Sequence, residues 1–451
     1  MMKTVAFHTL GCKVNSYESE AMKQLFVNAG YQLVTFKDIA DVYVINTCTV
    51  TNTGDSKSRQ MIRRAIRKNS AAVICVTGCY AQVAPDEIIK IEGVDVIIGT
   101  QYRNQIVELV EDALCSKQTI DKVEPLINKI EFEDLKVDVF TENTRAFLKI
   151  QDGCNQYCTY CIIPYARGNV RSRNKNDVIE QAQNLVNNGF VEIVLTGIHT
   201  AGYGVDFENY SFSDLLEDLV TKVVGLKRLR ISSIEFSQID DKIIHLIQTN
   251  PIIVDHLHIP LQAGSNEILK RMNRKYTTEE YKDKIAFIRS KLPNIAITTD
   301  VIVGFPGETD ELFNKAYNFI KEMQFSTLHV FPYSRRKNTP AASMNDQIDE
   351  SIKSTRVKQL IELSSKLQDS YHQKQLHKVV SVLVEEKKLG YCIGHTTNFL
   401  KVKFKSERNL IGDIVNIELL QNKNGILYGQ ESVKANKMSI KNDFVPKKVK
   451  H

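Results

Sequence analysis

Two hydrophobic periods alternate along residues 1–116. Short continuous apolar runs at 4–8, 42–46, 72–77 and 94–98 predict strands, and 16–28, 55–68 and 103–114 carry the spacing of amphipathic helices. Asp55 is placed to cap the second helix and Gly30 to end the first. Strand–helix alternation of this kind predicts a parallel sheet with helices on its faces. Residues 117–143 are charged and weakly patterned, a connector with room for one edge strand. From 144 to 376 the alternation resumes, with strands predicted at 146–150, 193–196, 229–233, 256–260, 295–303 and 326–331 and one long helix over 349–376. Six such units without a closing pair predict a partial TIM-like (β/α)6 barrel. Over 377–433 the period becomes two, and runs at 379–384, 390–395, 400–404, 413–418 and 427–432 predict a small all-β barrel of the kind that binds nucleic acids. Residues 434–451 form a basic tail without pattern, carrying Lys437, Lys441, Lys447, Lys448 and Lys450. The expected fold class is therefore α/β multidomain, ending in a β-barrel.

Composition narrows the setting. The chain has 451 residues, of which 43% are hydrophobic and 25% charged, enough for two or three soluble domains. No apolar run is long enough to span a bilayer, so no membrane partner is expected. The opening Met1-Met2-Lys3-Thr4-Val5 leads into a strand pattern instead of a signal peptide. Nine cysteines without such a signal point to a reducing, cytoplasmic setting, where thiols hold metals instead of forming disulfides. The net charge of +6 is uneven: residues 371–451 hold 15 Lys/Arg against 7 Asp/Glu. A basic terminal domain on a slightly acidic body suits a nucleic-acid partner, and equally a solvated surface.

The cysteines change the picture most. Cys154, Cys158 and Cys161 form C-x3-C-x2-C within one loop, just beyond the first strand of the second domain. Three thiolates hold three corners of a [4Fe–4S] cube and leave one iron open. A structural zinc site is the competing reading, but zinc takes four ligands, and His8 is the one histidine before Cys161. Cys12, Cys48 and Cys79 each follow a predicted strand of the first domain, at the sheet edge where α/β proteins bind ligands. Cys75 lies inside a strand and reads as an inert buried thiol, as do the unpartnered Cys115 and Cys392.

The Cys154–Cys161 spacing resembles the signature of radical S-adenosylmethionine (SAM) enzymes. Gly11-Cys12-Lys13-Val14-Asn15, Asn46-Thr47-Cys48 and Thr77-Gly78-Cys79 extend that resemblance to the radical SAM methylthiotransferase family. The resemblance implies two [4Fe–4S] clusters: a SAM-cleaving one on Cys154, Cys158 and Cys161, and an auxiliary, sulfur-carrying one on Cys12, Cys48 and Cys79. It implies two SAM per turnover and replacement of an adenosine C2 hydrogen in tRNA by S–CH3. Similarity to the superfamily places Gly197 near the methionyl end of SAM and Gly304 near its adenine; a simple turn is the alternative for each. The last domain looks like the TRAM domain of tRNA-modifying enzymes, with Lys401, Lys403 and Lys405 on one strand face. Cys12-Lys13-Val14-Asn15 and Cys161-Ile162-Ile163-Pro164-Tyr165-Ala166-Arg167-Gly168 look most like the branch acting on N6-threonylcarbamoyladenosine, beside the anticodon. Implied partners are the tRNA anticodon stem-loop, an electron donor of flavodoxin or ferredoxin type, and a donor that renews sulfur or repairs the cluster. The isopentenyladenosine branch and a zinc-containing, non-catalytic RNA-binding protein are the alternatives.

Two further features stand beside the cysteines. Arg167, Arg171 and Arg173 follow the cluster loop, with Tyr165, and suit either phosphate groups or salt bridges. His199, after the second barrel strand, is a candidate substrate contact or a solvated loop residue. No G-x-x-x-x-G-K-[ST] or G-x-S-x-G element supports nucleotide or acyl hydrolysis.

Overall fold

The computed structural model describes residues 2–126, 131–137, 140 and 144–432; the tail lysines and parts of the connector lie outside them. A six-stranded parallel sheet comes first, with strands β1 (Thr4–Thr9), β2 (Gln32–Val34), β3 (Val42–Thr47), β4 (Val73–Gly78), β5 (Val96–Ile98) and β6 (Ile120–Lys122). Their order across the sheet is β2-β1-β3-β4-β5-β6. Every residue of β3 and β4 is buried, the outcome expected of continuous apolar runs covered on both faces. Ile45 and Ile74 pack toward helix α2 (Asn52–Lys68), and Val44 and Val42 toward helix α1 (Lys13–Asn28). The edge strand in the connector is β6. The cap of α2 is Thr51, whose hydroxyl accepts from the Gly54 N–H, and Asp55 instead falls in the first turn.

The second unit has strands β7 (Ala146–Lys149), the short pair β8 (Gln151–Asp152) and β9 (Arg171–Ser172), then β10 (Glu192–Thr196), β11 (Arg228–Ile231), β12 (His256–His258), β13 (Ala296–Val303) and β14 (Thr327–Pro332). Two parallel sheets, β11-β10-β7 and β12-β13-β14, are joined by the bridges Leu229↔Ile253 and Ser233↔His258. β7 and β14 are not paired, so the barrel is a partial one. Leu148, Ile193, Leu195, Leu229, Ile231 and Leu257 face the outer helices and build the largest core. Their neighbours in sequence face the lumen, as a period of two requires.

Strands β15 (Val379–Lys388), β16 (Tyr391–Thr396), β17 (Lys401–Lys405), β18 (Ile414–Lys423) and β19 (Ile426–Glu431) close into a barrel in the order β15-β16-β17-β19-β18. Val402 and Phe404 fill it, while Lys401 and Lys405 are exposed and Lys403 lies over Tyr391 at 4.4 Å. This barrel is bolted to the floor of the larger one. Arg228 donates to the Ser381 carbonyl and hydroxyl at 2.8 Å each, and Arg230 to the carbonyls of Thr397 and Thr396 at 3.0 and 3.2 Å. No helix of the described residues is long and apolar enough to cross a membrane.

Phe404 is almost wholly enclosed. Phe404→Ala should therefore cost about 3–5 kcal/mol, seen as an earlier, separate melting step of the C-terminal barrel.

Candidate functional site

β1, β3 and β4 are neighbours in the sheet, so the turns leaving their carboxyl ends lie side by side. Cys12 leaves β1 and caps α1, Cys48 follows β3, and Cys79 opens the short helix α3 (Cys79–Val83). A Cβ on Gly11 would lie 3.0 Å from the Cys48 Cβ and 3.2 Å from its Sγ, so the Cys12 turn sits directly on Cys48. Asn15 ties the pair: its amide donates to the Leu10 and Thr47 carbonyls at 2.8 and 3.0 Å. Cys79 lies in the electrostatic field of both other thiols. Residues tens of positions apart thus gather along one edge of the sheet.

Cys154, Cys158 and Cys161 occupy the loop after β8 at the barrel mouth. Gly153 makes the turn possible. It has φ +75, and a Cβ there would come within 1.9 Å of the Asn169 carbonyl oxygen. Arg274 donates to Cys158 Sγ at 3.2 Å and pairs with Glu235. Burial pushes the Cys154 thiol up to about 11 and those of Cys161 and Cys79 up to about 12. Such thiols stay protonated alone and need a metal to displace the proton. The three thiols of each set lie in one another's electrostatic field, a trio of soft donors that fits iron–sulfur ligation.

The two thiol sets are joined through one guanidinium. Arg167 ends the helix Ile163–Arg167, six residues beyond Cys161, and its Nε donates to Cys79 Sγ at 3.2 Å. It also donates to Glu18 at 2.6 Å, to Asp152 at 3.2 Å and to Asn15 Oδ1 at 2.8 Å. Glu18 further pairs with Arg103 at 2.5 Å and Lys149 at 2.7 Å, and Asp152 with Lys149 and Arg171 at 2.7 and 3.3 Å. Arg103 reaches Glu133 at 2.7 Å. Four buried cations face three carboxylates, which leaves one positive charge beside Cys79. Burial alone would raise the Glu18 carboxyl, but Arg103, Arg167 and Lys149 outweigh it and hold it far below 4.5. The phosphate-binding reading of the arginines fails here. Arg167, Arg171 and Arg173 are buried, and Arg173 pairs with Asp134 at 2.6 Å.

Gly197 follows β10 beside Gln151, whose side-chain oxygen accepts from the His199 N–H at 2.8 Å. Gly304 follows β13 in a turn where Glu308 accepts its N–H at 2.6 Å and Lys353 packs over it. A Cβ added at Gly197 would meet the Gln151 side chain, and one at Gly304 the Lys353 side chain. Among the remaining cysteines, Cys75 and Cys392 are buried as expected, whereas Cys115 is exposed.

The lumen holds charge that sequence patterning did not disclose. Halfway down, His258 and His329 each meet Asp300 at 3.2 Å. At the floor, Glu192 faces Arg230 at 2.8 Å, Arg228 at 3.4 Å and Arg145 at 4.0 Å. Phe399 of the C-terminal barrel lies under Arg230, Arg145 and His256. Lys13, first residue of α1, is exposed yet lies in the field of Arg145, Arg230, Glu192 and His256. Desolvation by the protein crowded around it, then Arg145 and Arg230, push its amine down to about 8. Tyr157 and Tyr165 stand exposed at the cluster loop, their rings 6.2 Å apart and edge to face. The period-two pattern marks which barrel residues face inward, and that signal alone would have found His258 and Arg230.

A partial barrel with a thiol trio in its first strand-to-helix loop defines a radical SAM protein. Residues 148–320 match the model of the radical SAM superfamily, and residues 4–99 match a family described as uncharacterized protein family UPF0004. The chain is 54% identical over 425 residues to the threonylcarbamoyladenosine tRNA methylthiotransferase MtaB of Bacillus subtilis, covering 93% of this chain and 94% of that one. It is 34% identical to the tRNA-2-methylthio-N(6)-dimethylallyladenosine synthase of Alkaliphilus oremlandii, covering 94% and 91%. Among solved structures, the radical S-adenosylmethionine methyltransferase TsrM of Kitasatospora setae shares the fold, with TM-score 0.55 at 14% identity over 76% of this chain and 77% of that one. The chain belongs to the radical SAM methylthiotransferase family.

The buried ion network carries a pH signature. Glu18 and Asp152 titrate lower folded than unfolded, so their contribution is complete above about pH 4.5 and fades as pH falls. Glu18→Gln should cost roughly 3–5 kcal/mol at neutral pH, because three cations lose their shared partner. Denaturant titrations across pH 3–7 should show a shallower acid slope for that variant.

Proposed function

We propose that this chain methylthiolates C2 of N6-threonylcarbamoyladenosine, next to the anticodon of tRNA, with two [4Fe–4S] clusters. The supporting observation is the gathering of Cys12, Cys48 and Cys79 at a sheet edge tied through Arg167 to the Cys154–Cys161 loop. Identity favours the threonylcarbamoyl substrate over the dimethylallyl one, at 54% against 34%. Cys154, Cys158 and Cys161 hold the SAM-cleaving cluster in this reading, and Cys12, Cys48 and Cys79 the auxiliary one. Bound there, cluster and SAM supply a carbon-centred radical, which an aromatic C–H without useful acidity requires.

The chain's own residues supply placement and charge. Arg274 and Arg167 donate to one sulfur of each set, and such hydrogen bonds tune a cluster's potential. The spare positive charge beside Cys79 offsets the charge of a thiolate-bound cluster. Gly197 and Gly304 are assigned to SAM, at strand ends where chemistry sits in such barrels. The exposed Tyr157–Tyr165 pair offers a surface on which a base stacks. Lys401, Lys403 and Lys405, with the groove lined by Arg59, Arg63 and Arg67 on α2, suit the phosphate backbone. The reaction takes place in the cytoplasm, fed by an electron donor of flavodoxin or ferredoxin type and by a sulfur or cluster-repair donor.

Anaerobically reconstituted protein should bind about eight irons, from two four-iron clusters. Alanine at Cys12, Cys48 and Cys79 together, or at Cys154, Cys158 and Cys161 together, should halve that. Mass spectrometry of nucleosides should show methylthio-threonylcarbamoyladenosine with the wild type and neither triple variant. Zinc without iron would overturn the reading in favour of a structural RNA-binding protein. Methylthio-isopentenyladenosine as the sole product would overturn the substrate.

A further inference from the structure

Three adjacent strands of the larger barrel bring two imidazoles and a carboxylate together in the lumen. β12, β13 and β14 pair in that order, with His258 opposite Thr298 and Asp300 opposite His329. Leu257, Val301 and Leu328 belong to the outer core, so His258, Asp300 and His329, each one position away, face inward. Asp300 Oδ1 lies 3.2 Å from His258 Nε2 and 3.2 Å from His329 Nδ1. One ligand atom from each of the three residues falls within 4.8 Å of the other two. The two rings are stacked, 5.3 Å apart at 26°.

Distance decides between a hydrogen-bonded trio and a metal site. A charged donor meets a carboxylate at about 2.7–2.9 Å, and Asp300 has a second oxygen to offer. Both nitrogens instead converge on one oxygen from further away. A metal with bonds of about 2.0–2.2 Å holds its ligand atoms about 3.0–3.5 Å apart, which is the spacing seen. Stacked imidazoliums would repel each other, whereas neutral imidazole is the form that ligates. Thr298 Oγ1 lies 2.8 Å from His258 Nδ1 and 3.0 Å from His256 Nε2. That contact holds the His258 ring with Nε2 toward Asp300, the outer hydrogen bond that metal-bound histidines keep.

We propose that His258, Asp300 and His329 form a site for one divalent first-row transition metal, separate from both cysteine sets and independent of the tRNA substrate. Two nitrogen donors and one oxygen suit zinc or iron(II), whereas calcium and magnesium prefer oxygen shells. Three protein ligands leave coordination positions open toward the lumen, for water or another oxygen donor. His329 is exposed on β14, the strand at which the barrel stays open, and this gives an ion its way in.

The test uses holoenzyme with both clusters reconstituted, cleared of loosely held metal by a chelator, then given zinc and desalted. Elemental analysis should find about one zinc per chain beside an unchanged iron content. Zinc-edge X-ray absorption should show nitrogen and oxygen neighbours, with imidazole scattering and no sulfur. His329→Ala, at an exposed position, and Asp300→Asn should each lose the retained zinc and keep the iron. Thr298→Val should weaken zinc affinity by about 10- to 100-fold. No retained zinc, a sulfur shell, or equal zinc in His329→Ala would overturn the proposal. An iron content well below about eight with the zinc shell as expected would uphold it and strike the two-cluster reading instead.

Discussion

The two halves of the site are held in register by the pairing of Arg167 with Glu18 and Asp152. Each partner comes from a different element: Glu18 from α1 of the first sheet domain, Asp152 from β8, and Arg167 from the helix that closes the cysteine loop. All three are excluded from water. An ion cluster of this kind is poor at adding net stability, since desolvation consumes most of the Coulombic gain. Its strength is discrimination, because a shifted docking angle would leave full charges unpaired in a low-dielectric interior. Arg336 makes a second tie on the other side, donating to Thr49 at 2.6 Å and pairing with Asp55 at 2.7 Å, just past Cys48. The two cysteine loops are therefore fixed relative to each other by charge pairs as well as by Tyr17 and Ala21 of α1, which join the apolar core of the barrel.

Electrostatics of the opposite kind governs the lumen. Its upper rim presents cysteine sulfurs flanked by Arg274 and Arg167, its middle an Asp300 carboxylate held ionised by two histidines, and its floor a surplus of guanidinium. From mouth to floor the lining thus runs from thiols to carboxylate to cations. The gradient is laid down by strands whose alternate residues are ordinary core leucines and isoleucines, so the scaffold and the site occupy opposite faces of the same segments.

Much of this was legible in the sequence where chemistry follows local pattern. The βα alternation gave the sheet and the partial barrel, and the change to a period of two gave the closing five-stranded barrel. The meeting of Cys12, Cys48 and Cys79 was legible because all three leave equivalent ends of parallel strands. What escaped depends on docking. Arg167 and Arg173 find Glu18 and Asp134 far away in the chain, and nothing near them in sequence distinguishes a buried clamp from a phosphate site. Lys13 is ordinary in a helix's first turn until another domain surrounds it. β2 escaped for a different reason: three residues, half exposed, carry too little pattern. The exposed Cys115, at the end of an amphipathic helix, shows the limit of judging burial from residue type alone.

Phe399 belongs to the C-terminal barrel, yet its ring lies beneath His256 and the guanidiniums of Arg145 and Arg230 in the larger one. The appended module is thereby part of the lumen's wall. Domains joined this way do not evolve as interchangeable cassettes. Grafting the terminal barrel of a distant homologue onto this body would exchange a piece of the lumen's lining, so the two must drift together.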